Sequence, residues 1–179
     1  MQTEIKSWLK KYGEITLREV GIREGQSVFD FGCGKGFYTI PAARIVGRTG
    51  GVFALDRDGE SLEKLMQRVN ALGLKNIVQI KTSGNLEIPL NSGSIDVVLL
   101  YDIFWYFPVT DSRMAELLWN AHRILKPKGL LSVYPKHVNT GDLKRIIEKN
   151  GFYLKDTYDG LFIHEKRIIR DKALNFNMD

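Results

Sequence analysis

One cysteine in 179 residues rules out an internal disulfide framework, so packing and hydrogen bonds must hold the fold. That cysteine, Cys33, sits between two glycines with no histidine near it in sequence. It reads as a small apolar residue, because a nucleophilic thiol needs a base to make the thiolate. Histidine is scarce too, with three scattered at positions 122, 137 and 164. No metal-ligand spacing is visible in such a set, and no metal is expected. The most apolar run, 95–107, is about half a bilayer span and carries Asp96 and Asp102, so it reads as a buried strand with its following loop. No membrane partner is expected. Charge of one sign is not concentrated either. The 26 basic and 21 acidic residues leave +5 without a dense basic block, so nucleic acid is not the expected partner. The charged opening, 1–11, has no leader-like apolar core, and with the lone cysteine it points to the cytoplasm.

What remains is an ordinary globular composition, 44% hydrophobic and 26% charged, over a length that suits one core. A single domain is expected across 1–179. Strand and helix signals alternate, which argues for parallel βαβ units. Strands are expected near 27–31, 51–55, 77–81, 95–101 and 130–134. Helices are expected after the first strand, with Pro41 in the early turns and an end near Gly47, near 60–72, and from Thr140 or Asp142 to Asn150-Gly151, with another starting at the capping cluster Thr110-Asp111-Ser112 and ending at Pro127. Segments 152–158 and 162–169 read as a hairpin turning at Asp159-Gly160. The tail 171–179 reads as frayed. The first twenty residues form an amphipathic entry helix, with Ile5, Trp8, Leu9 and Tyr12 at helical spacing.

The most informative stretch runs from Val28 to Tyr38. An apolar strand breaks at Gly32, Gly34 and Gly36 and passes into a helix, so the backbone can turn tightly and a ligand can approach it. A second apolar run, 51–55, ends in Asp56, twenty positions after Gly36, where a carboxylate can grip a ribose diol. Asp30 lies two residues before Gly32. The spacing is therefore D-x-G-x-G-x-G rather than the dinucleotide pattern G-x-G-x-x-G. These features resemble motifs I and II of the class I S-adenosylmethionine-dependent methyltransferases. The run Ile88-Pro89-Leu90 through Ser94-Ile95-Asp96-Val97-Val98 is similar to the family's "LPF…SFDVV" stretch, and Leu125-Lys126-Pro127-Lys128-Gly129 to its "LKPGG" turn.

The resemblance implies an α/β fold: a doubly wound, seven-stranded Rossmann-like sheet, mostly parallel with an antiparallel last strand. It also implies S-adenosyl-L-methionine as cofactor. Residues carried over to it are Asp30, which would orient the loop or meet the ammonium group, the loop residues Gly32, Cys33, Gly34 and Gly36, and Asp56 for the ribose. Arg57 would stack on adenine or face solvent. The family's acid after strand three falls at Gly84 and is missing, so Asn85 is the substitute. After strand four, Tyr101 and Trp105 are assigned to the site, Tyr101 to both cofactor and acceptor, whereas Phe104 and Phe107 are assigned to the core. Family members that methylate amino groups often carry "NPPY" or "DPPY" at this place, and this chain does not. His137 is the candidate general base, and His122 and His164 are structural. Trp8 and Tyr12 would form a lid over the cleft. The implied reaction is in-line methyl transfer to oxygen or carbon of a small-molecule acceptor. The alternatives are RNA methylation, or a cofactor-binding module without activity, such as a small NAD-binding protein.

Overall fold

The structure, a computed structural model, describes residues 2–106, 108–110 and 112–178. Helix α1 (Gln2–Ser7) passes through a π-helical turn (Trp8–Tyr12) into α2 (Gly13–Val20). Then follow β1 (Ser27–Phe31), α3 (Thr39–Val46), β2 (Gly51–Asp56), α4 (Gly59–Ala71), β3 (Ile77–Lys81) and β4 (Ile95–Tyr101). The chain closes with α5 (Arg113–Ile124), β5 (Leu125–Tyr134), α6 (Thr140–Lys149), β6 (Phe152–His164) and β7 (Arg167–Met178).

The strands form one sheet in the order β3-β2-β1-β4-β5-β7-β6. The first five are mutually parallel, and β7 runs antiparallel to both neighbours. Alternation along the strands feeds two faces. Val28, Val97 and Leu99 pack beneath Leu17 of α2 and Ala42 and Val46 of α3. Phe29, Val98 and Leu100 pack beneath Leu117 of α5 and Leu143 of α6. Burial on both faces explains why these strands are continuous apolar runs. From β1 the chain winds outward to β3, then returns to lay β4 against the other side of β1. That reversal opens a crevice at the carboxyl ends of β1 and β4.

The structure corrects several expectations. The terminal hairpin turns at Glu165-Lys166, both in the left-handed region (φ 46° and 66°), and not at Asp159-Gly160. Gly160 lies inside β6 because the Tyr158 side chain folds across it: a Cβ there would sit 2.1 Å from the Tyr158 hydroxyl. The tail is not frayed. β7 runs to Met178, wedged between β5 and β6, with Ala173, Leu174, Asn175 and Phe176 buried. Strand β5 starts at Leu125 and absorbs the Lys-Pro-Lys-Gly segment as an irregularity: Ile95 pairs with Leu125 and Val97 with Leu130. Phe107 and Asp111 lie outside the described residues, and Ser112 makes no side-chain cap bond to α5.

The amino-terminal segment packs against the rest of the domain. Trp8 is fully buried, and its indole N–H donates to the Phe37 carbonyl at 2.7 Å. Thr16 donates to the Leu161 carbonyl at 2.7 Å, and Glu4 accepts from the Ile168 N–H at 3.1 Å. Arg44 of α3 donates to the Leu9 carbonyl, inside the π-helical turn. These bonds tie the segment to α3 and the β6–β7 hairpin.

Candidate active site

A cleft of about 1130 Å³ opens at the carboxyl edge of the sheet. The glycine loop makes its floor. The N–H groups of Gly32 and Cys33 both donate to the Leu55 carbonyl, at 2.8 and 3.0 Å, which turns the chain away from β1. The Gly34 N–H then donates to Asp56 Oδ2 at 2.7 Å, and the Asp58 N–H to Asp56 Oδ1 at 2.9 Å. Each carboxylate oxygen keeps a second acceptor direction, and Asp56 lines the cleft. A Cβ added at Gly34 would meet nothing within 4 Å, so the loop surface is open to an approaching ligand.

Gly32, Cys33, Gly34, Asp56, Arg57 and Asn85 line this cleft as expected. Gly36 does not. It is buried with φ 79°, and a Cβ there would lie 2.2 Å from Leu65 of α4, so it is the contact point between loop and helix. Nor is Asp30 among the lining residues. It is buried beneath the loop, where its Oδ2 accepts from Thr39 Oγ1 at 2.6 Å, and so orients the start of α3. Desolvation, reinforced by the nearby Asp56 charge and opposed by the Thr39 bond, raises its pKa from 3.8 to about 6. Burial likewise pushes the Cys33 thiol far up, since it packs with Ile40, Leu62 and Leu65. No thiolate is available there near neutral pH.

Arg57 is exposed at the edge of the cleft. Its guanidinium sits 4.8 Å from the Tyr106 ring, closing the rim. Asn85 Oδ1 accepts from Thr82 Oγ1 at 2.9 Å and so fixes the loop after β3. Tyr101 contributes to the cleft wall but is mostly core: its hydroxyl bonds Ser132 at 2.7 Å and its ring packs edge-on against Tyr38 at 4.8 Å.

The far half of the cleft follows β4. Ile103, Trp105 and Tyr106 line it, with Ile163 and His164 arriving from β6. Trp105 is 59% exposed, in keeping with a site residue, whereas Phe104 is buried as expected of core. Trp8, Tyr12 and His137 do not line the cleft. The Trp105 ring lies tilted against His137, 3.8 Å between centroids, and the His137 ring lies 4.8 Å from the His164 ring. His164, expected to be structural, is the histidine that lines the cleft. Its Nδ1 lies 3.1 Å from Asp102 Oδ1, and its side chain is 10% exposed. In sequence these residues show no metal-ligand spacing, but in the fold Asp102, His137 and His164 each bring one donor atom within 4.8 Å of the others. His122 packs edge-on against Phe152, a structural place.

The methyltransferase domain profile matches residues 22–174. Demethylmenaquinone methyltransferase of Geobacillus stearothermophilus is 30% identical over 120 residues, 67% of this chain and 49% of the relative. The ubiquinone/menaquinone biosynthesis C-methyltransferase of Klebsiella pneumoniae is 30% identical over 113 residues, 63% of this chain and 43% of the relative. The chain thus spans about half the length of these curated relatives. A solved structure of a SAM-dependent methyltransferase from Aquifex aeolicus superposes with a TM-score of 0.73, at 24% identity, covering 93% of this chain and 89% of that one. Among the described residues no helix is long and apolar enough to cross a membrane. With the profile matched across all but the first helices and the last few residues, the chain belongs to the methyltransferase domain family.

Proposed function

We propose that this chain transfers a methyl group from S-adenosyl-L-methionine to oxygen or carbon of a small, planar acceptor. The observation that carries this reading is the division of one cleft into two chemically different halves. One half offers open loop backbone at Gly34 and the Asp56 carboxylate, a fit for a polar nucleoside. The other offers Ile103, Trp105 and Tyr106, a fit for a flat, apolar partner. The cofactor, when bound, supplies an activated methyl on a sulfonium, so the chain's own task is alignment and exclusion of water. Asp56 would accept from the ribose hydroxyls, and Asn85 would stand near the base. Asp30, beneath them, keeps the loop and α3 in register. The names of the curated relatives, which refer to demethylmenaquinone and to ubiquinone/menaquinone biosynthesis, support a small-molecule acceptor.

Asp56→Ala is expected to weaken S-adenosylhomocysteine binding about 10- to 100-fold, the cost of leaving buried hydroxyls and the Gly34 N–H without their acceptor. Asp56→Asn, which keeps one acceptor oxygen, should fall between. Calorimetry that found NAD bound and S-adenosylhomocysteine ignored by the wild-type chain would overturn the reading.

Cys33→Ala should leave methyl transfer within about threefold of wild type, because the thiol is held neutral and packs as an apolar group. Its expected cost is in stability, about 1 kcal/mol for the small cavity against Leu62 and Leu65. Loss of turnover at unchanged melting temperature would assign the thiol a chemical role.

A further inference from the structure

The geometry points to a divalent transition-metal site at the acceptor end of the cleft, made by Asp102, His137 and His164. The three residues come from different parts of the chain: Asp102 follows β4, His137 follows β5 and His164 ends β6. Their donor atoms nevertheless converge within 4.8 Å. Two imidazoles and one carboxylate form a nitrogen-rich set that suits zinc, cobalt, nickel, manganese or iron(II), and suits magnesium or calcium poorly.

The distances are compatible with a shared ion. Asp102 Oδ1 and His164 Nδ1 are 3.1 Å apart, about the edge between two ligands each ~2.1 Å from one ion. His137 must close by about 1 Å to complete the face, a shift that its exposed position on the loop after β5 permits. The Trp105 ring lies against it, 3.8 Å between centroids and tilted by 43°. Asp102 and His137 both adopt left-handed backbone, φ 56° and 69°. Each is thereby turned off the end of its strand toward His164. A non-glycine residue in that region costs about 1 kcal/mol, least for residues such as Asp and His.

A simple hydrogen-bonded pair of Asp102 and His164 would not need the third donor, His137. Because Asp102 and His164 line the cleft, the open coordination positions would face the acceptor. On the methyl-transfer reading, an ion there would bind an acceptor oxygen and favour its anionic form, which replaces a separate general base. Metal binding itself is independent of that reading.

The test uses the untagged full chain, stripped with chelator and titrated with cobalt(II) and zinc(II) chloride. One equivalent of cobalt should bind with a dissociation constant on the order of 1 μM or tighter. Visible d–d absorption should appear as it binds and vanish when zinc displaces it. Asp102→Asn and His137→Gln should each weaken binding at least about tenfold, with melting temperatures that confirm folding. His137 is exposed, so its substitution keeps the test valid if Asp102→Asn fails to fold. Equal cobalt affinity for wild type and His137→Gln would overturn the site, as would absorption bands that survive both substitutions. S-adenosylhomocysteine titrated into the same preparations separates the two proposals: loss of nucleoside binding with metal binding intact overturns only the function, and the reverse overturns only the metal site.

Discussion

Trp8→Ala is expected to lower folding stability by about 3–5 kcal/mol, the range for truncating a fully buried aromatic residue. Trp8 is 0% exposed and packs edge-on against Tyr38 at 5.4 Å. Its indole also satisfies the Phe37 carbonyl, at the start of the segment that carries the glycine loop into α3. Alanine would leave both a cavity and a carbonyl without its donor. Against a total stability of about 5–15 kcal/mol, such a loss moves the urea midpoint far down. Trp8→Phe, which keeps most of the volume and loses the hydrogen bond, should cost about 1–2 kcal/mol. In both variants the folded fraction should bind S-adenosylhomocysteine within about threefold of wild type, since Trp8 does not line the cleft. Removing residues 1–12 should abolish cooperative unfolding altogether. Normal stability with turnover lost would instead restore the lid that the sequence invited.

The periodicity that suggests a lid fits a packed helix equally well. Periodic apolar residues announce that a helix has a buried face, but not what buries it. Here the partners are α3 and the β6–β7 hairpin, whose bonds from Thr16 to Leu161 and from Ile168 to Glu4 span well over a hundred positions. The central strands were legible because burial on both faces writes an apolar run, and β1 and β4 fall where that pattern puts them. The glycine loop was legible as a unit. The division of labour within it was not, because Gly34 faces the cleft and Gly36 faces Leu65 only once α4 is in place. The extent of the last strand through the tail was missed for a similar reason. Polar positions such as Asn175 look solvent-exposed in a tail, but Asn175 is buried and accepts from Ser132 Oγ at 2.8 Å while donating to Asp156. His164 was passed over because its partner, Asp102, lies 62 positions away.

Asp30 gives the second large effect, and its sign depends on pH. Its carboxyl is buried beneath the loop, and desolvation raises its pKa from 3.8 to about 6. Below pH 4 the group is protonated in both folded and unfolded chains, so its contribution to stability is fully present. Between about 4 and 6 the unfolded chain releases the proton and the folded chain retains it, so stability falls as pH rises. Above about 6 both forms are ionised and the whole contribution is lost. At about 1.4 kcal/mol for each pH unit of that window, the loss approaches 3 kcal/mol. Asp30→Asn removes the ionisation and keeps an oxygen to accept from Thr39. Its stability relative to wild type should therefore rise through the window, reaching an advantage of up to about 3 kcal/mol at pH 7.5, reduced by whatever the new amide N–H groups cost if they find no partner. Urea denaturation at pH 4.5 and pH 7.5 reads this directly. A difference between the two proteins that stayed constant across that range would show that Asp30 does not titrate in it. A difference that shrank toward pH 7.5 would mean that the carboxylate is stabilised by contacts stronger than the bond from Thr39. A buried charge held at such a cost, one residue layer below the cleft, is a strain that a cationic ligand above it would relieve. The advantage of Asp30→Asn at pH 7.5 should accordingly narrow when S-adenosylmethionine is added at saturating concentration.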